Sequence, residues 1–536
     1  MRNLWSSICH MLLHHHLSLK INKLEVKSNV PPMRSRLPRT LRSRYTWRLI
    51  VVIFIVSCYL FSLPPFPRPL PGYSGPYPVG AVDVETPLAS PRIIDTARFK
   101  EAKENAFELD TVLFTLYYPA IQHATHRQAK HHWIPKPISL TAEGYAKFAH
   151  INNVIMNKVM TGVLKALVGH IQIPAQVDVP LADLVSAVTA IPETQDNIEE
   201  IEKVVQIKKG GHPVIVFSHG MASSRTDYTH YAGELASRGY VVALLEHRDG
   251  SCPGSVVMEQ GKPDRVKLTF DVPEVETPSG KEVTVDEFKR AQLDFREAEI
   301  EETVRVLKLI NEGRGKEVFK SNMRDEGVDF VNWKGRLNTD DMIVAGHSYG
   351  ATGAMQALRG GPSAKRPFKG AIILDPGKQS GRLNDDIRVP VLVIHSNSWS
   401  SKYSLFYGRA HFDTVRDIVE NNVLRGMPSW FATSLGTSHP SVTDAPLLEP
   451  LLLSWTTGAR IDVYQGLRVY VHVSEDFLWF LSTGEKRGLL KEKPEFPQYD
   501  EGRGFGVWKP AQGENEKTGG PWFDWRRYWQ VHVSPN

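Results

Sequence analysis

Cysteine is scarce. The 536 residues hold three, Cys9, Cys58 and Cys252. Only Cys252 lies in the body of the chain, so a disulfide framework is excluded and the body must be held by its apolar core. No Asn-x-Ser/Thr acceptor occurs, no internal repeat and no long low-complexity tract. Histidine and cysteine nowhere take the spacing of a metal site. The run His14-His15-His16 suits no site and lies outside the body, so no metal and no cofactor is expected. An excess of positive charge is also lacking where it would matter. Through residue 82 there are eleven Lys and Arg against the single acid Glu25, about +10. The whole chain is +5, so the remainder is near −5. A mildly acidic body does not have the footprint of a nucleic-acid-binding surface.

The basic segment leads into the one long apolar run. Arg34, Arg36, Arg39, Arg42, Arg44 and Arg48 precede Leu49–Leu63. With Thr46 and Trp47 the run approaches the roughly 17 residues that cross a bilayer. The charge asymmetry predicts a cytosolic basic tail (1–45), a signal-anchor helix (46–63) and a body on the lumenal or extracellular side. A secreted form follows if the segment is a cleaved signal peptide. A Pro-rich linker (64–80), a catalytic domain (81–460) and an aromatic-rich C-terminal extension (461–536) complete the expected organisation.

Within the body, short apolar runs alternate with helical patterns. The runs 111–120, 212–218, 241–245, 369–377 and 389–397 read as strands. Residues 145–171 and the stretch from Asp286 to Gly313 carry helical spacing, the latter through Leu293, Ile300, Val304, Leu307 and Ile310. Residues 253–285 are polar and rich in Pro and Gly, and read as a surface excursion. Near-continuous apolar strands alternating with helices predict an α/β fold, a doubly wound, mostly parallel sheet with helices on both faces.

One strand runs into Gly346-His347-Ser348-Tyr349-Gly350 and then small residues. The pattern Gly-x-Ser-x-Gly alone is weak, expected by chance about 0.2 times in a chain this long. Its setting, between strand and helix, is what a nucleophilic serine at a sharp turn requires. A serine hydroxyl needs a base, and the base needs an acid, in the chain order Ser, acid, His. His439, in the loop after the strand Ser429–Ser434, is the favoured base over His347 and His395. Asp375 ends an apolar strand and is the favoured acid, with Asp385 and Asp386 as substitutes. The strand around 389–397 is followed by no acid until Asp413. Backbone N–H groups of Tyr349 and Met221 are the expected oxyanion donors, with His219 as a hydrogen-bonding strut.

The segments from Val216 to Ser251, "GHSYGA", "AIILDPG" and "GTSHPSV", with "GPYPVGAVDVE" near the start, resemble the plasma and cytosolic platelet-activating-factor acetylhydrolases. These are calcium-independent phospholipases of the α/β-hydrolase superfamily. The resemblance runs from about Gly75 to about Leu453. It implies Ser348, Asp375 and His439 as a triad, with Met221 and Tyr349 as oxyanion donors. The implied activity is hydrolysis of the sn-2 acyl ester of a phospholipid, such as platelet-activating factor, through an acyl-enzyme. The chain departs from the family pattern at Pro376-Gly377 and beyond residue 461. A general carboxylesterase or lipase, an acyltransferase and a catalytically idle hydrolase fold are the alternative expectations.

Overall fold

The computed structural model describes residues 67–122, 128–183, 210–450, 456–502 and 527–535. Ten strands form its main sheet: β1 (Val79–Ile93), β2 (Glu108–Pro119), β3 (Gln176–Val177), β4 (His212–Ser218), β5 (Val241–Leu245), β6 (Leu337–His347), β7 (Phe368–Leu374), β8 (Val391–Ser396), β9 (Ser429–Ser434) and β10 (Trp529–Val533). They lie side by side as β10-β9-β8-β7-β6-β4-β5-β2-β1-β3. The run from β9 to β5 is parallel. The pairs β1–β2, β2–β5 and β9–β10 are antiparallel. This is the α/β-hydrolase arrangement, a mostly parallel sheet with antiparallel strands at its margins.

Strand alternation sorts the apolar residues into two cores. Ile215 and Phe217 of β4 face one layer, together with Ile343, Ile372 and Ile394. Val214 and Val216 face the other, together with Val344, Ile373 and Val393. Helices α1 (Thr229–Ala236) and α2 (Val463–Thr483) cover the first side. Helices α3 (Val285–Leu309), α4 (Tyr349–Gln356) and α5 (His411–Leu424) cover the second. The start of α3 follows from a capping box in which Thr284 and Glu287 exchange side-chain-to-backbone hydrogen bonds.

Several stretches differ from their sequence reading. The helical pattern over 145–171 splits into Ile138–Phe148 and Val154–Leu167, because the Asn153 side chain accepts from the N–H of Ile155 and Met156 and starts a new helix. The excursion 253–285 contains a hairpin, Gly254–Val257 with Arg265–Leu268, and buries Phe270. The segment read as a C-terminal extension supplies α2 to one core and β10 to the edge of the same sheet.

The expected single-pass membrane location is corrected. Among the described residues no helix is long and apolar enough to cross a membrane. The 21-residue α2 carries Arg468, Glu475 and Asp476 and lays its apolar side on the core, while α3 is lined with charges along its outer face. The stretch 46–63, on which the expectation rested, lies outside the described residues.

Candidate active site

Three residues far apart in sequence meet at the carboxyl edge of the parallel strands. The register accounts for the first two. The Ser348 N–H donates to Leu374 O and the Asp375 N–H to Ile394 O, so each residue extends its strand by one rung. Side by side beyond β6 and β7, both leave the ladder through positive φ, 57° at Ser348 and 48° at Asp375. For residues with a Cβ this conformation is strained, and it lifts both side chains above the sheet edge.

The glycines make the turn at Ser348 possible. A Cβ on Gly346 would fall 2.8 Å from Ala351 N and closer still to Gly350 O. One on Gly350 would fall 2.6 Å from His219 O and closer still to Ser218 O. The start of α4 therefore packs directly against the end of β4, which no larger residue at 346 or 350 would permit.

His439 opens a short helical turn after β9. Its Nε2 lies 3.0 Å from Ser348 Oγ and its Nδ1 2.8 Å from Asp375 Oδ2. Asp375 also accepts from the Ser396 N–H at 2.6 Å and the Ser396 hydroxyl at 2.7 Å. With the carboxylate filled in this way, His439 Nδ1 must be the donor and Nε2 the acceptor that faces the serine hydroxyl. The geometry can do one thing well, which is to remove a proton from Ser348 Oγ and hold it on an imidazolium.

The other sequence candidates lie elsewhere in the network. His347 Nδ1 accepts from the Tyr228 hydroxyl at 2.9 Å, and that hydroxyl accepts from the Gly220 N–H at 3.2 Å. Burial, followed by the adjacent His439, holds His347 well below the usual imidazole range. His395 bonds Ser400 at 3.2 Å within the core. Asp386 pairs with Arg388 at the surface, the Asp385 carbonyl accepts from Arg425, and Asp413 pairs with Arg416. Among the described residues, His347, Asp375 and His439 bring possible metal-ligand atoms within 4.8 Å of one another. Asp375 Oδ2 and both His439 nitrogens are already engaged in hydrogen bonds with Ser396, Ser348 and one another, while His347 approaches the carboxylate through Nε2 at 4.0 Å.

The turn after β4 brings Gly220 beside the serine, since a Cβ there would lie 3.1 Å from Ser348 Cβ. The Gly220 N–H goes to Tyr228 and the Ala222 N–H to Ser251 O at 2.8 Å. Met221 sits between them. His219 accepts from the His247 N–H at 3.1 Å and donates from Nδ1 to Gly220 O at 2.8 Å. Burial, then the charge of Arg296, takes its pKa down to about 4, so it serves as a neutral strut. The buried Arg296 donates to Asp249, His219 O, Ser218 Oγ and Ser251 Oγ. It binds the end of β4 to the loop after β5.

Asp227 fastens the same turn, accepting from Ser223 Oγ and the Ser224 N–H, both at 2.8 Å. Burial raises its pKa to about 7 against these hydrogen bonds, from 3.8. A carboxyl held above its unfolded value keeps a proton that the unfolded chain releases. Stability should therefore fall as pH rises from about 4 to about 7, by up to about 4 kcal/mol from this group. Asp227→Asn keeps an acceptor for both donors and removes the titration. Its denaturant midpoints between pH 4 and pH 8 should show a shallower decline than the wild type. Parallel curves would remove Asp227 as the source.

Sequence reasoning missed the strand-end tetrapeptide Ser396-Asn397-Ser398-Trp399. Ser396 donates twice to Asp375, Ser398 Oγ accepts from the His439 N–H at 2.9 Å, and the Trp399 indole lies flat on the His439 ring. The missing signal was an acid after β8. Neutral residues that position an acid and a base leave no charge pattern to find.

Residues 188–498 match the family described as platelet-activating factor acetylhydrolase, isoform II. A putative phospholipase A2 of Schizosaccharomyces pombe is 28% identical over 311 residues, 50% of this chain and 68% of that protein. Platelet-activating factor acetylhydrolases of Canis lupus familiaris and Cavia porcellus are 30% and 31% identical over 165 and 169 residues, in each case 31% of this chain. The chain spans only 35% of the length of those two relatives. Among solved structures, a ferulic acid esterase from Streptomyces cinnamoneus superimposes over 80% of this chain and 97% of its own, with a TM-score of 0.43 and 16% identity.

Proposed function

Because this chain belongs to the platelet-activating factor acetylhydrolase, isoform II family, we propose that it is a serine ester hydrolase acting on the sn-2 acyl ester of phospholipids with short acyl chains, of which platelet-activating factor is the type. The observation that carries the reading is the unbroken chain of hydrogen bonds from Ser348 Oγ through His439 to Asp375, 3.0 Å and 2.8 Å. Ser348 Oγ attacks the ester carbonyl as its proton passes to His439 Nε2. Asp375 holds the imidazole tautomer and stabilises the imidazolium. The Met221 and Tyr349 N–H groups receive the oxyanion, each lowering the barrier by on the order of 3 kcal/mol. The proton then goes to the departing lysophospholipid oxygen, and water releases the acyl group by the reverse path.

A fluorophosphonate probe followed by mapping of the modified peptide tests the nucleophile. The label is expected on Ser348, and a label elsewhere rejects the site. Turnover of phospholipids bearing sn-2 acetyl against long sn-2 chains tests the substrate. Acetyl should be preferred by at least roughly tenfold in kcat/KM, on the scale of the 1–3 kcal/mol that a shape-limited acyl pocket can discriminate. Equal rates would point to a general carboxylesterase or lipase with the same triad.

A further inference from the structure

We infer that Trp399 is a positioning residue for the base, and that its indole face stabilises the imidazolium more than the neutral ring. The inference rests on the reading of His439 as the base. The two rings are 4.0 Å apart between centroids and 10° from parallel, which is full face-to-face stacking. The His347 ring packs on His439 at 4.4 Å and 36°. The imidazole thus packs against two rings, which restrict its rotation. Trp399 is itself tied to the acid's loop, where its Nε1–H donates to Pro376 O at 3.0 Å. The Lys378 ammonium lies 4.6 Å from the indole centroid, but its hydrogen bonds go to the carbonyls of Trp399 and Lys402 at 2.7 and 2.8 Å. That pair of bonds closes a loop from acid to stacking residue.

The chemistry follows from when charge appears. Before reaction His439 is neutral. Once Ser348 Oγ has given up its proton, the ring is a cation. An aromatic face attracts a cation through its quadrupole, and Trp does so most strongly. The same stack is therefore stronger in the transition state than in the ground state, which is the condition for raising kcat rather than lowering KM. Asp375 stabilises the same cation through the Nδ1–H, while His347, held neutral by burial, adds no charge, so the indole supplies the contribution from the face of the ring.

The test uses the full chain and two probes that need no natural substrate: inactivation by a fluorophosphonate, and hydrolysis of p-nitrophenyl acetate. In the first, an Oγ–P bond forms, the P–F bond breaks, fluoride leaves and the serine proton rests on His439. Trp399→Leu fills space without a π face and should be inactivated roughly tenfold more slowly, with kcat for the ester lowered to the same degree and KM within about twofold. Trp399→Phe restores a face, without the indole N–H, and should recover to within about threefold of the wild type. Trp399→Met is a second non-aromatic variant and must behave as the leucine. Leucine and methionine variants as fast as the wild type, a phenylalanine variant as slow as leucine, or a loss confined to KM would each overturn the assignment. Wild-type labelling away from Ser348 would instead overturn the proposed function, and this inference with it.

Discussion

Ser348→Ala is expected to lower kcat by about 10⁴- to 10⁶-fold, to abolish fluorophosphonate labelling and to leave the unfolding transition where it is. The size follows from the chain of bonds. His439 Nε2 has one partner at the site, the Ser348 hydroxyl at 3.0 Å, and without that oxygen no nucleophile is within reach of the base. Stability is unaffected because the hydroxyl makes no bond that holds the fold. Its backbone N–H still bonds Leu374 O and its carbonyl still accepts from Ala351 and Thr352. Asp375→Asn should cost about 10⁴-fold by a different route. The carboxylate accepts from three donors, two on Ser396 and one on His439. An amide must turn its NH₂ toward one of them, and the imidazole then loses its tautomer or its orientation. Persistent turnover in Ser348→Ala, measured against a mock preparation, would end the assignment of the nucleophile.

The largest structural effect is expected from Gly350→Ala. A single methyl at this position would overlap the carbonyls of Ser218 and His219. Neither carbonyl can retreat. Ser218 closes a central strand, is fully buried, and its hydroxyl lies 2.7 Å from the buried His247, while the His219 carbonyl accepts from Arg296. Relief would require α4 to move off the sheet, at a cost of about 3 kcal/mol or more, typical of the severe end of overpacking. Gly360→Ala is the control. Gly360 has a positive φ, 78°, which Gly350 does not, and a Cβ there meets nothing within 4 Å. It should cost only about 1 kcal/mol of backbone strain. Urea midpoints of the two variants compare these costs directly, and a Gly350→Ala cost no greater than that of Gly360→Ala would show that the approach of α4 to β4 does not require glycine at 350.

Much of the site was legible because two of its residues obey local rules. Ser348 sits between glycines at a strand-to-helix turn, and Asp375 ends an apolar run, so each is marked by its own neighbours. His439 was placed by chain order, by its loop after the strand Ser429–Ser434 and by the resemblance of that loop, since a loop histidine by itself looks like any other. The rest depended on contacts between distant segments. The Trp399 stack, the two bonds from Ser396 and the Arg296 anchor of the β4 turn join pieces from 21 to 77 residues apart, with side chains that carry no motif.

What the amino-acid sequence by itself determined is the alternation of buried strands and amphipathic helices, and with it the parallel sheet, because burial on one or both faces is written in local periodicity. It also determined where a strained serine turn must fall, because only the flanking glycines allow it. Only the tertiary structure decided that β10 and α2 complete the same body, and that the end of β8 and the turn after it supply the residues gripping acid and base. It also decided that one imidazole lies flat against an indole and beside a second, tilted ring. Those arrangements depend on strand order and register, which bring together side chains whose meeting no local pattern encodes.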